Sequence, residues 1–415
     1  MKSLRIKDVA RINQNTLPES TDPSFRFRYI DIGAVDSSGN VAVPDHDSIF
    51  SSAPSRARRK AFPGSVLVST VRTYLRAIAA VPEHESPLIF STGFAVLDAE
   101  PGVSGRFLGY HCRSQPFVDE VVARSTGVSY PAINASEIGN LPVSLPSLKE
   151  QHRIADFLDA ETSRIDTLTS MRRHQSRLLI ARSASQLSAL RQNLCDAHGT
   201  VRLRHLLTKI EQGWSPQCED RLTRTGEWGV VKAGCVNSGT FDPLQHKTLP
   251  SDIEPRLEYA LEEGDLLMSR ASGSQDLIGS VGIITCAPSN LLLCDKVYRL
   301  TVDRTLTKPD FVAYMLRSHS VREHIKLGVS GGEGMANNLP VAVVKDCVLP
   351  NMPLSTQAEV VRSLDQGVEV TARARAALKE SISLLAERRQ ALITAAVTGQ
   401  FDVSTASGRN VTDGV

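Results

Sequence analysis

The chain repeats itself at a nearly constant spacing. Gln151, Ile154, Leu158 and Asp159 are answered by Gln357, Val360, Leu364 and Asp365 at an offset of 206 (151 to 357, 159 to 365). Leu178-Leu179 against Leu384-Leu385 and Arg182 against Arg388 keep the same register, so the shared element is long and ungapped. Upstream, Phe107, Tyr110, Arg113 and Ser114 pair with Phe311, Tyr314, Arg317 and Ser318 at an offset of 204. Earlier still, PGSVLVSTVR at 63 to 72 parallels EGDLLMSRAS at 263 to 272, and IDIGAVDSSG at 30 to 39 parallels VKAGCVNSGT at 231 to 240. A period of about 200 residues is too long for a solenoid repeat. It predicts two similar domains, each followed by a similar helix.

Composition suits two medium domains. The 415 residues are 41% hydrophobic with no run of 18 apolar residues, enough for real cores and not for a membrane span. The N-terminus scatters charge and lacks an apolar signal core, so a cytoplasmic location is expected. Seven cysteines at unrelated spacings fit a reducing compartment, and no Cys/His set has zinc-site spacing, so no metal site is expected. Cys286 and Cys294 stand in apolar context and are expected to be small buried hydrophobes. A net charge of +2 does not settle whether one face binds a polyanion.

Each half changes character at a definite place. Residues 1 to 146 mix short β-branched runs with Gly, Pro and Ser clusters, which predicts sheet and loops. A single helix is predicted over RFLGYHCRSQPFVDEVVARS, and another over DFVAYMLRSHSVREHIKLG. Two long helices are expected, at 147–196 after the first domain and at 351–403 after the second, which spans 197–350; the tail 404–415 is expected to be disordered. In the later helix Val361, Leu364, Val368, Thr371, Arg375, Leu378, Ile382, Leu385, Arg389, Leu392 and Ala396 step by three and four, a coiled-coil seam. The earlier helix carries Leu158, Ile165, Leu168, Leu179 and Leu190. The fold class is therefore α+β: two similar mixed domains separated by two long antiparallel helices that form a coiled-coil spacer with approximate two-fold symmetry.

Half-sites on one face of a DNA duplex recur about every 34–36 Å, and some 42 helical residues span roughly 60 Å. Such a rod could hold two readers of a two-part DNA site; it could equally join two protein-binding modules. Arg59 and Lys60 belong to a basic run, and Arg72, Tyr74 and Arg76 follow the strand PGSVLVST, a mixture of cation and aromatic suited to phosphate and base-edge contact. Lys232, Arg270, Ser274, Gln275 and Lys296 occupy comparable strand-end positions in the second half. Gly331 and Gly332, with Asn337 beyond, would let a backbone approach DNA closely; no Gly-Lys-Ser/Thr follows, so this is not a phosphate-binding loop.

LPSLKEQHRIADFLDAETSRIDTL at 145 to 168 and LAERRQALITAAVTGQFDV at 385 to 403 resemble the central and C-terminal regions of type I restriction-modification specificity subunits. The resemblance covers the full length, because PGSVLVSTVR, the segment Ser125 to Asn134 that holds Tyr130, and their counterparts look like that family's two target-recognition domains. It implies a non-catalytic subunit whose domains each read one half of an interrupted DNA sequence. Two methyltransferase subunits would dock on the helices, through Gln151, Ile154, Leu158, Ile165, Gln357, Leu364, Leu378, Leu385 and Leu392, and motor-nuclease subunits would join them. Ala181 to Ser185 and Thr356 to Glu359 depart from the family pattern, which weakens the docking expectation there. No Pro-Pro occurs anywhere, so the base-holding motif of an amino-methyltransferase is missing. S-adenosylmethionine, ATP and magnesium are accordingly expected only in partner subunits.

Overall fold

The computed structural model describes residues 2–286, 290–329 and 337–404. The chain divides into two compact units, one holding residues up to Arg173 together with those from Lys379 onward, the other His174–Leu378. Each unit is therefore one domain plus a half of each long helix.

In the first unit a four-stranded sheet runs in the order Ala10–Ile12, Phe94–Ala99, Val66–Ser69, Ile78–Ala80. All its pairings are antiparallel. The strand Val66–Ser69 is buried on both faces, which explains why it reads as an unbroken apolar run. Val66 and Val68 pack with Leu108, Phe117 and Ile138 of the helical layer, while Leu67 packs with Ile30, Phe90 and Val96. Those last residues lead to a second sheet, ordered Ser48–Ile49, Arg26–Ile30, Leu88–Ser91, Ala57–Lys60, in which the central pair is parallel. The second unit repeats the plan, with Leu207–Gln212, Val297–Val302, Leu266–Ser269 and Val281–Ile283 in one sheet and His246–Thr248, Gly229–Val231 and Leu291–Leu292 in another.

Both domains close on themselves. Lys2–Arg5 pairs antiparallel with Pro142–Leu145, and Thr200–Arg202 with Val348–Pro350, so each domain's entry and exit lie side by side where a long helix begins. The expected single helices after each sheet are two apiece: Gly105–Arg113 and Gln115–Ala123, then Pro309–Leu316 and His319–Gly328. Ser114 and Ser318, both in extended conformation, interrupt them, and their hydroxyls donate to the carbonyls of His111 and Met315.

The long helices span Leu148–His198 and Leu354–Thr398. Ser147 opens the first, its Oγ accepting from the Glu150 amide. Gly199 and Gly399, at φ +75° and +77°, end them, a conformation that favours glycine. Within each unit the two helix segments run antiparallel. In the first, Glu161 pairs with Arg388 and Asp166 with Arg389, while Ile154 and Leu158 share a core with Ile393 and Val397. In the second, Ser183 meets Thr371 at 3.2 Å, and Leu187 and Leu194 join the core with Val360 and Leu364. The predicted seam lapses at Val368 and Arg375, which are exposed; Ala374 takes an inward position between them.

The repeated residues of the sequence are anchors. Gln151 and Gln357 are buried. The Gln151 Oε1 accepts from the Ser104 amide at 2.8 Å, and its Nε2 donates to the Pro146 carbonyl. Gln357 repeats this with the Lys308 amide at 2.9 Å and the Met352 carbonyl. Tyr110 and Tyr314 each donate to Asp159 and Asp365 at 2.6 Å, and burial pushes both phenols up. Arg113 and Arg317 stack over those tyrosines and donate to the turns at Ser38 and Gly239. A Cβ on Gly39 would overlap the Arg113 guanidinium, so glycine is required there for space as well as for its φ of +87°.

The domains also draw on the other repeat's helix. The Gln115 amide donates to Thr394 Oγ1 at 3.0 Å, and the His319 amide donates to Ser188 Oγ at 3.0 Å. The second half of the later helix thus serves the first domain, and the second half of the earlier helix serves the second.

Cys286 departs from expectation. Cys294 is buried as expected, but Cys286 is exposed, in a bend three residues past the strand Val281–Ile283, while Ile284 beside it turns into the core that holds Cys294. Burial pushes the thiols of Cys294 and Cys347 up to about 12. Maleimide labelling of the folded protein at neutral pH is expected to show one fast thiol, removed by Cys286→Ser; a fast phase surviving that change would contradict this arrangement. Gln151→Ala and Gln357→Ala should each lower stability by roughly 2 kcal/mol, since buried amides lose their acceptor. Chemical denaturation against the exposed control Lys149→Ala measures it, and equal midpoints would show that the anchors carry no energy.

Candidate nucleic-acid interface

The candidate residues of the first domain fall in two places. Arg59 and Lys60 lie on the strand Ala57–Lys60, at the edge of the second sheet, and both are half-buried. The Arg59 Nε is buried without a hydrogen-bond partner, and burial lowers the pKa of its guanidinium. Arg72, Tyr74 and Arg76 instead form a tip beyond the central strand Val66–Ser69. A single turn of 3-10 helix, Thr73–Leu75, stands between Arg72 and Arg76, both in the left-handed region at φ +49° and +54°. The Arg72 amide donates to the Pro131 carbonyl at 2.8 Å, and Val71 bridges Ala132. This brings Tyr130 in, with the Arg72 guanidinium 4.9 Å above its ring.

The second domain builds the corresponding tip from other residues. Ala271–Ser272 pairs with Asn337–Asn338, so Asn337 sits beside the Ser272 to Gln275 segment. Ser274 and Gln275 are exposed there, in reach of a ligand. Gly331 and Gly332 lie outside the described residues. Lys232 and Lys296 line a different place, a cavity of about 430 Å³ shared with Lys247, Gln217 and Ser215. Asp220 takes Lys232 at 3.1 Å and Lys247 at 3.6 Å, and both lysines hold its pKa below the usual range. Lys247 was missed from sequence because it sits on the short strand His246–Thr248, whose pairing with Gly229–Val231 alone brings it to Lys232.

Arg270 is a brace and not an exposed reader. Its Nε donates to the Tyr298 hydroxyl at 3.2 Å and its NH1 to the Asp295 carbonyl at 3.1 Å. Tyr298 passes the contact on to the Leu339 carbonyl, tying the strand end to the chain that returns from the tip.

The residues proposed for docking are also mostly interior. Gln151, Ile154, Leu158, Ile165 and Gln357 are buried within their own units and offer no face to a partner. Leu364, Leu378, Leu385 and Leu392 are half-buried. The exposed large apolar side chains of the long helices are Leu148, Leu168, Met171 and Leu384 in the first unit and Leu178, Ile180, Val368 and Val370 in the second. Leu178 and Leu384 are repeat equivalents with nearly equal exposure, 53% and 57%. Sequence periodicity picked inward positions because an inward stripe is what periodicity measures.

Among the described residues no group of three or more His, Cys, Asp or Glu side chains could hold a metal ion, and no helix is long and apolar enough to cross a membrane.

Residues 1–175 match the type I restriction modification DNA specificity domain family. The specificity subunit of the type I restriction enzyme EcoKI, from Escherichia coli K12, is 22% identical over 373 residues, covering 85% of this chain and 76% of that one. The StySPI specificity subunit of Salmonella potsdam is 21% identical over the same length. The match to the EcoEI specificity subunit of Escherichia coli is 22% identical over 197 residues, 47% of this chain and 33% of the relative. Among solved structures, a chain from a study of assembly and conformational transition of the type I R-M system shares the fold at a TM-score of 0.72 and 23% identity, covering 95% of this chain and 97% of that one. The HsdS subunit from Thermoanaerobacter tengcongensis matches at 0.50 and 23% identity, over 96% of this chain and 97% of that one. The first 175 residues thus match the specificity-domain family, and over most of its length the chain is similar, at 21–22% identity, to specificity subunits of type I restriction enzymes and shares its duplicated fold with solved chains of such systems.

Proposed function

We propose that this chain is the non-catalytic DNA-recognition subunit of a type I restriction-modification complex, with each domain reading one half of a bipartite, interrupted DNA sequence. The observation that carries the reading is a repeated mount bearing dissimilar tips. Gln151 and Gln357, and Tyr110 and Tyr314, fix the two domains to the long helices through the same bonds. Arg72, Tyr74 and Tyr130 at one tip face no counterpart in Ser274, Gln275 and Asn337 at the other. Two readers of different half-sites need that combination. The long helices set the gap between half-sites and carry methyltransferase subunits, two per chain, to which motor-nuclease subunits attach. S-adenosylmethionine, ATP and magnesium belong to those partners, and the complex works in the cytoplasm.

Lys232, Lys247 and Lys296 gather positive charge at one cavity and supply phosphate contacts, as expected of a backbone-positioning element. Because each domain enters and leaves through one strand pair, residues 1 to 146 can be replaced as a module. Methylation mapping of DNA modified by the chain with its methyltransferase should show one interrupted motif, and that replacement should change one half only. Unchanged specificity after the swap would favour a scaffold that joins proteins without reading DNA.

Leu178 and Leu384 give the partners matching footholds, because an exposed leucine at repeat-equivalent positions leaves apolar surface in the same place twice. Leu178→Asp and Leu384→Asp should each reduce co-purifying methyltransferase from two copies to one, as read by native mass spectrometry. Two copies retained in both variants would move the docking surface elsewhere.

A further inference from the structure

The turn at Thr73–Leu75 is built to present apolar side chains to something outside the protein. Bulky residues rarely take the left-handed region, yet Arg72 and Arg76 both do, on either side of one turn. Such a conformation persists only where the surroundings over-determine it, and strain of this kind gathers at functional sites. Here the clamps are specific. The Arg72 amide is tied to the Pro131 carbonyl at 2.8 Å, and buried Thr73 shares a 2.8 Å hydroxyl bond with Ser125, which in turn donates to the Val121 carbonyl. The consequence is that Thr73 points inward while its neighbours Tyr74 and Leu75 point out, 55% and 43% exposed. Tyr130 and Val128, on the segment that clamps the turn, are exposed as well.

We propose that Tyr74 and Leu75 form a wedge that enters a base step of the first half-site, unstacking it and kinking the duplex, with Arg72 and Arg76 on the flanking phosphates. The idea rests on the DNA-recognition reading above. The occupant is a duplex and not a protein surface because two cations flank the apolar pair, and because minor-groove wedges of this make-up, an apolar side chain between basic ones, part base pairs at modest cost. Rigidity is what a wedge needs: the clamped turn loses little freedom when it inserts. Sequence at that step would then be read as deformability, without base-edge contact.

The other tip lacks the device. At the equivalent place stand Ser272, Gly273, Ser274, Gln275 and Asp276. Asp276 is held by Lys326 at 2.8 Å, and its carbonyl accepts from Arg322 at 2.8 Å. Small polar groups at that tip suit hydrogen bonds to base edges in undistorted DNA. Unstacking is therefore confined to the first half-site.

The test uses the complex with its methyltransferase and a duplex carrying the mapped motif, with 2-aminopurine or pyrrolocytosine placed in turn at each position except the methylated adenines. One step in the first half-site should brighten, and none in the second. Tyr74→Ala combined with Leu75→Ala should abolish that signal and weaken binding roughly tenfold, the loss of about one stacked base, while Tyr74→Phe keeps both. The wedge is overturned if no first-half position brightens, if the double alanine variant keeps the signal, or if that variant instead sheds the methyltransferase. A complex that methylates no defined motif would overturn the DNA-recognition reading itself; a mapped motif without unstacking removes the wedge alone.

Discussion

The structure depends on a polar clamp buried at the root of each domain. A glutamine on the first turn of a long helix engages both ends of its amide with backbone groups of the domain it follows: Gln151 with Ser104 and Pro146, Gln357 with Lys308 and Met352. Buried amides left unpaired cost more than the bond itself contributes, so the clamp admits one arrangement and excludes neighbouring ones. Two turns along the same helix, Asp159 or Asp365 takes the tyrosine hydroxyl, and the arginine stacked on that ring reaches to the turn at Ser38 or Gly239. Sheet, small helix and long helix are thereby fixed to one another before any tip residue is considered.

The clamp is completed from the other repeat. Thr394 and Ser188 supply acceptors to Gln115 and His319, and Ile393, Ala396 and Val397 finish the core that Phe107 and Leu158 begin. A single repeat thus leaves its own domain short of a wall. The two copies differ at that wall in a compensated way: Arg389 pairs with Asp166 in the first unit, while the equivalent Ser183 meets Thr371 in the second. Water reaches the half-exposed Asp166 and weakens that pair, although the Arg389 side chain is largely covered, which is why a hydroxyl pair can stand in its place.

Much of this was legible in the sequence. The helix limits came within a few residues because glycine and proline are absent from 148 to 198 and end-capping glycines follow both helices. The repeat flagged Gln151 and Tyr110 as constrained positions, yet repetition does not say whether a side chain is held by its own domain or by a partner. Only burial distinguishes the two, and it assigned those residues inward and Leu178 and Leu384 outward. Arg270 shows the same gap. A strand-end arginine reads as a ligand contact, but the repeat aligns it with Thr70, whose amide donates to the neighbouring connection at Gly93 as the Arg270 amide does to Lys296. Both residues tie a strand end down, and neither belongs to the tip.

The offsets record where the fold tolerates change. Val66 stands 200 residues from Leu266, Phe107 stands 204 from Phe311, and Val143 stands 206 from Leu349, its counterpart in the other closing strand pair. Each increase falls in a connection, the last of them in the segment that returns from the tip between Ser114 and Val143. Beyond Val143 the offset does not move again through the helix. One residue added to a helix turns every later side chain by about 100°, which would carry Asp159, Thr394 or Ser188 away from the groups they hold. A loop absorbs the same insertion at almost no cost in closure entropy. The duplicated chain is therefore free to vary at its tips and is held to the residue where its clamps meet the helices, and that division lets one mount carry two different tips.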